Sequence, residues 1–303
     1  MRLVTYRNEI LGPARLGAVA GDLILDVERL GQARGMVLPN SMLEFIASAA
    51  TALPDLRDII ADCAARFPAG AAFPRQNVRL LAPIPRPRKN IFGIGLNYRA
   101  HVEESARSLD TDPEEPKQPV VFSKPPTAVI GPGDAIQHDA RITQQLDWEV
   151  ELAVIMGTTA THIASPEAMR HVFGYSVMID ISARDNRRGG QWIIAKGMDT
   201  YAPFGPCIVT ADELEDPHNL RLWLKKNGET KQDANTRLMI FRIPELIADL
   251  SAGITLEPGD IIATGTPAGV GASRTPPEWL WPGDVIEAGV EGIGQLRHPI
   301  VAI

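Results

Sequence analysis

Short apolar runs bounded by Gly, Pro and Asp predict strands over most of the chain. They fall at 2–6, 14–19, 23–27, 90–95, 119–124, 128–130, 146–155 and 175–179. Further runs follow at 207–210, 220–224, 261–263, 285–288 and 295–297. Apolar residues at three- and four-residue spacing predict helices at 41–50 and 55–66, and helical character continues at 99–109 and 244–250. Ser165 reads as the cap of another helix, running through Met169 to Val172. Asn227-Gly228 is a hairpin signal. No long internal repeat is visible.

One run carries charge where the pattern asks for apolar residues. From Leu146 the chain reads Leu-Asp-Trp-Glu-Val-Glu-Leu-Ala-Val-Ile. On a single strand the even positions Trp148, Val150, Leu152 and Val154 share one face, and Glu149 and Glu151 share the other. Two carboxylates roughly 7 Å apart on one face repel unless a proton, a base or a cation lies between them. The competing reading is a half-exposed strand with a solvated polar face.

Residues 1–85 read as a small N-terminal α+β domain. The proline-rich Pro83-Ile-Pro-Arg-Pro87 is the linker candidate, and 86–303 follows as the main domain. The chain has 303 residues, 45% of them hydrophobic and 22% charged, as in an ordinary globular protein. The net charge of −7 and the lack of a Lys/Arg-rich run argue against nucleic acid. No run of about 18 apolar residues reads as a membrane span. The two distant cysteines, Cys63 and Cys207, fit small buried apolar groups in a reducing compartment. A cytoplasmic enzyme is the expectation.

Candidate chemistry gathers around the charged run. His101 and Glu104 are three apart on a predicted helix, so a carboxylate can orient an imidazole as a base. A surface pair of no consequence is the alternative. The charged, proline-punctuated segment 110–119 follows them as either a mobile lid or an ordinary loop. Asp180 closes an apolar run, either as a catalytic carboxylate or as a turn residue. Lys196 closes another, either snorkelling to water or buried near anions. Glu149, Glu151 and Asp180 form an all-oxygen set suited to Mg²⁺, Mn²⁺ or Ca²⁺ rather than Zn²⁺.

In this order the chain carries Gly95-Leu-Asn-Tyr98 with His101 and Glu104, then Lys124-Pro-Pro126, Asp147-Trp-Glu-Val-Glu151 and Asp180-Ile-Ser-Ala-Arg-Asp185. Ala195-Lys196, Pro258-Gly-Asp260 and Thr264-Gly-Thr-Pro-Ala-Gly-Val-Gly271 complete the series. Over roughly 88–303 these motifs resemble the fumarylacetoacetate hydrolase family. The resemblance implies an α+β, mainly β fold: a mixed β-sandwich roll with a small N-terminal domain, assembled as a homodimer. It implies Mg²⁺ or Mn²⁺ on Glu149, Glu151 and Asp180, and Lys196 as a catalytic residue that polarises the substrate. His101 and Glu104 match the family's water-activating dyad, Arg184 its substrate-side arginine and Thr266 its substrate-contacting threonine. Arg187 stands where many relatives carry Gln and favours an extra carboxylate on the substrate.

The expected activity is metal-dependent hydrolysis of a carbon–carbon bond in an acylpyruvate or β-diketone. Metal and Lys196 would stabilise the departing enolate, and His101 would activate water. The alternative is decarboxylation or isomerisation of an oxaloacetate-like 2-oxo dicarboxylate on the same metal.

Overall fold

Two β-sheets share one apolar core in the computed structural model, which describes residues 1–8, 12–63, 65–108, 112 and 114–303. The larger sheet has 12 strands. Its centre is Val150–Met156, flanked by Val172–Ile179 on one side and Ile261–Ala263 on the other. Ile91–Gly95 and Val120–Lys124 extend it beyond Ile261–Ala263. Ala202–Thr210 follows Val172–Ile179, and the first strand of the chain, Arg2–Arg7, pairs with it antiparallel (Arg2 opposite Val209). The second sheet has five strands, with Glu229–Asn235 at one edge. Parallel and antiparallel pairs occur together, so the fold is mixed α+β and mainly β.

The central strand explains the packing. Val150, Leu152, Val154 and Met156 enter a core with Leu222, Leu224, Ile286 and Ala288 of the second sheet. Ala153 and Ile155 face the other way and cluster with Phe45 and Leu56. A strand covered on both faces reads as a nearly continuous apolar run. The helices that supply this cover are α1 (Val27–Ala33), α2 (Met42–Ala47) and α3 (Ala49–Asp62). Later come α4 (Arg99–Ser108), α5 (Trp192–Lys196) and α6 (Ile243–Gly253). Among the described residues, no helix is long and apolar enough to cross a membrane.

Several expectations need correction. The run 146–155 is not one strand: Leu146–Asp147 pairs elsewhere, with Ser182–Ala183, and Val150 starts afresh. The Trp148 N–H bonds to Asp147 Oδ1 at 2.8 Å, which takes that donor out of the ladder. Ser165 does not cap an α-helix. Ser165–His171 is 3₁₀, Ala164 precedes it, and no side chain caps it. The break expected between 50 and 55 lies instead at Ser48, whose carbonyl accepts from both Thr51 and Ala52. Pro54 sits inside α3, where burial of Ala52, Leu56 and Ile59 overrides its poor propensity. Residue 109 of the predicted helix and residues 110, 111 and 113 of the expected lid lie outside the described residues.

Asp26 ties the first strands to α1. It is fully buried, caps Arg29 N at 2.9 Å, and accepts from Tyr6 Oη at 2.6 Å and Arg15 Nε at 2.5 Å. Burial alone raises its carboxyl, but these hydrogen bonds and the Arg15 charge outweigh it and hold it below the usual range. A depressed carboxyl adds stability above its unfolded pKa, near 3.9, and that stability fades as pH falls through the folded value. Asp26→Asn is therefore expected to cost about 2–3 kcal/mol at pH 7, discounted because Arg15 is partly exposed. The gap between variant and wild type should narrow below about pH 4. Denaturant unfolding at both pH values checks this, and a gap independent of pH would contradict it.

Candidate active site

Strand register builds the carboxylate cluster. Val150 pairs with Ile179, so Glu149 lies beside Asp180, and the Asp180 N–H donates to the Glu149 carbonyl at 2.8 Å. One oxygen each from Glu149, Glu151 and Asp180 falls within 4.8 Å of the others. All three residues are buried. The two glutamates converge although only Glu151 lies within the strand Val150–Met156.

Cations enclose the cluster. Lys196, on α5, spends all three of its donors on Glu149 Oε2 (2.9 Å), Asp180 Oδ2 (2.6 Å) and Ser182 Oγ (2.8 Å). It is buried, and not snorkelling. Lys124 is also fully buried, with Nζ 2.5 Å from Asp180 Oδ1 and bonded to the Lys196 carbonyl. Arg184 bridges Asp147 (Nε to Oδ2, 2.8 Å) and Glu149 (Nη2 to Oε1, 2.6 Å). Asp147 is held in turn by the N–H groups of Gly271 (2.6 Å) and Ala272 (3.0 Å).

Among the described residues, Lys124, Lys196 and Arg184 make ion pairs with Asp147, Glu149 and Asp180, and Glu151 makes none. Its Oε2 accepts from Gly265 N at 2.9 Å, but its buried Oε1 has no partner. Burial and the charges of Asp180 and Glu149 push its carboxyl well above the usual range. Glu149 goes the other way: burial raises it, but Lys196, Arg184 and His101 hold it below that range. An orphaned buried carboxylate oxygen beside two more carboxylates is the vacancy in bonding that a hard divalent cation fills. The residues present fit such an ion.

His101 and Glu104 form a buried pair beside the cluster. His101 Nδ1 and Glu104 Oε1 are 2.8 Å apart and both residues are buried on α4, so this is not a surface contact. Glu104 also accepts from Gly269 N, at 2.9 Å to Oε2. Gly269 has φ +108° and a Cβ there would lie 2.1 Å from the Lys231 carbonyl, so only glycine presents its N–H to Glu104 in this way. The pocket is lined by His101, Glu149, Arg184, Arg187, Lys196 and Thr266, so it gathers six of the nine residues expected in the site. Glu104, Glu151 and Asp180 stand directly behind them.

Thr266 is already engaged. Its hydroxyl donates to the Val150 carbonyl (2.9 Å) and accepts from Gln232 Nε2 (2.8 Å). Gln232 Oε1 accepts in turn from Val150 N, between the two glutamates, at 2.9 Å. Gln232 thus ties the second sheet to the carboxylate strand and to the loop after Ala263. Sequence reading missed Gln232, and it quoted Lys124 and Asp147 as motif members without roles. For Lys124 a signal existed, a lysine closing the apolar run Val120–Lys124; Gln232 offers none.

The family model described as fumarylacetoacetate (FAA) hydrolase, C-terminal, matches residues 90–301. The chain belongs to the fumarylacetoacetate hydrolase family. A mitochondrial oxaloacetate tautomerase of Bos taurus is 39% identical over 99% of this chain and 92% of its own length. An oxaloacetate tautomerase of Bacillus subtilis is 46% identical over 74% of this chain and 73% of its own. Among solved structures, maleylpyruvate hydrolase from Sphingobium sp. SYK-6, in complex with manganese(II) and pyruvate, superposes with TM-score 0.78. It is 33% identical, covering 100% of this chain and 99% of that one.

Proposed function

We propose that the protein is a divalent-metal-dependent tautomerase that interconverts the keto and enol forms of oxaloacetate or a close 2-oxo dicarboxylate. The pocket supplies the chemistry this reading needs. A buried His–Glu pair faces a carboxylate triad, and cationic side chains line the same space. The observation that carries isomerisation over the acylpyruvate hydrolysis expected first is the likeness to oxaloacetate tautomerases, one of them over 99% of this chain. The shared architecture with maleylpyruvate hydrolase keeps hydrolysis as the second reading.

Glu149, Glu151 and Asp180 would hold the ion, which supplies Lewis acidity against the developing charge on the 2-oxo group. The protein's own residues do the rest. Lys196, its three donors held by Glu149, Asp180 and Ser182, would act on the same oxygen through its charge as that oxygen becomes anionic. Glu104 accepts the Nδ1 proton of His101 and fixes the ring, leaving Nε2 to take or return the proton at C3. Arg184 and Arg187 line the pocket where carboxylates of the substrate would lie. In the keto-to-enol direction the C3–H bond breaks, its proton going to His101 Nε2, and an O–H bond forms at the 2-oxo oxygen with a proton from water; the reverse direction undoes both, and no carbon–carbon bond breaks.

Product analysis separates the readings. With Mg²⁺ or Mn²⁺ supplied, no pyruvate should form from an acylpyruvate and no CO₂ from oxaloacetate above the enzyme-free rate. Rapid pyruvate release from the acylpyruvate would restore the hydrolase reading.

A further inference from the structure

We propose that Ser105 contacts the substrate, donating its hydroxyl to the carboxylate that lies beyond the end held at the triad. Ser105 follows His101 by four residues on α4, so the two share a helix face about one turn, or 5.4 Å, apart. Both line the same pocket. Ser105 is fully buried, yet its Oγ has no hydrogen-bond partner among the described residues. Ser108, on the same helix, shows the usual solution: its hydroxyl bonds back to the Glu104 carbonyl at 2.8 Å. Ser105 makes no such bond. A buried hydroxyl left unpaired costs free energy, and an alanine would fill the same place without that cost.

The position of the hydroxyl assigns its ligand group. Among the described residues its Oγ bonds to none of Glu149, Glu151, Asp180, Lys196 or Arg184, so it is not spent on the cage around the triad. The pocket also contains Ile94 and Leu96, whose apolar side chains offer Ser105 no partner. Arg187 lines both this pocket and the cleft beside it, bringing a guanidinium to the entrance. An acid whose C3 faces His101 carries its next carboxylate one bond further, roughly 1.5 Å along the chain. That places carboxylate oxygens within reach of the following helical turn. The identity of the ligand rests on the proposed function; the existence of the contact rests on the unpaired hydroxyl.

Calorimetric binding to the full chain with Mg²⁺ present tests the assignment, using oxaloacetate and oxalate as probes. Oxalate has only the two carboxylates of the chelating end. Ser105→Ala should weaken oxaloacetate binding roughly tenfold or more, the usual size of a lost hydrogen bond to a charged group. Ser105→Cys, with a weak donor in place of the hydroxyl, should fall between alanine and wild type. Oxalate should bind all three proteins within about twofold, and the alanine variant should melt no lower than wild type, since it loses no partner. Unchanged oxaloacetate binding in Ser105→Ala, or equal weakening of oxalate, would overturn the inference. If wild type binds oxaloacetate without tautomerising it, the functional reading fails and the binding ratio still decides the role of Ser105. A wild type that binds neither probe overturns both.

Discussion

Glu151→Gln is expected to lower metal-dependent turnover by at least 10²–10³-fold, the loss typical of removing a main electrostatic stabiliser. The same change should not harm the metal-free fold. Wild-type Glu151 buries an unpaired carboxylate oxygen among two other carboxylates, and burial with their charges raises its carboxyl. Glutamine keeps the shape, still accepts from Gly265 N, and removes the repulsion. The metal-free variant should therefore melt at or above the wild type. Wild type should gain stability on metal addition, about 2.7 kcal/mol at a hundredfold excess over Kd, and the variant should gain much less. Thermal unfolding with Mg²⁺, Mn²⁺ or chelator reads both signs at once. A variant stabilised by metal as much as wild type would show that Glu151 is not a ligand.

His101→Asn should lower kcat by roughly 10²–10⁴-fold, the usual contribution of a positioned acid or base. Metal binding should survive, because His101 is not among the three clustered carboxylates. The metal-induced gain in melting temperature is therefore the internal control. Glu104→Gln should cost less than His101→Asn. A glutamine oxygen can still accept from Gly269 N or from His101 Nδ1, and the fixed charge beside the imidazole is what disappears. If His101→Asn left the interconversion rate unchanged, proton transfer would have to be assigned elsewhere in the pocket.

The sequence carried the site in two local spacings. Glu149 and Glu151 were readable because strand alternation puts both on one side, and His101 with Glu104 because residues three apart share a helix face. Asp180 was readable as the end of an apolar run. Joining it to the glutamates depends on the register that sets Val150 opposite Ile179, which no local pattern states. The break at Trp148–Glu149 was invisible because the apolar–polar alternation continues through it. The roles of Lys124, visible only as a lysine closing an apolar run, and of Gln232, with no signal at all, were hidden for a different reason: each acts on the site through contacts far along the chain. Lys124 reaches Asp180, and Gln232 reaches Val150 and Thr266. The Ser165 cap failed because Pro166 and the 3₁₀ geometry displaced the start of the element by one residue. Reaction type was the least legible property, since hydrolysis and tautomerisation ask for the same metal, lysine and imidazole.

The most direct test follows the enol absorbance of oxaloacetate after mixing with the metal-loaded protein. Tautomerase activity predicts that the enol signal relaxes to its keto–enol equilibrium far faster than in buffer, with total oxaloacetate conserved. Chelation should abolish the acceleration and Mg²⁺ or Mn²⁺ should restore it. Relaxation at the buffer rate with metal present, alongside cleavage of an acylpyruvate to pyruvate, would contradict it.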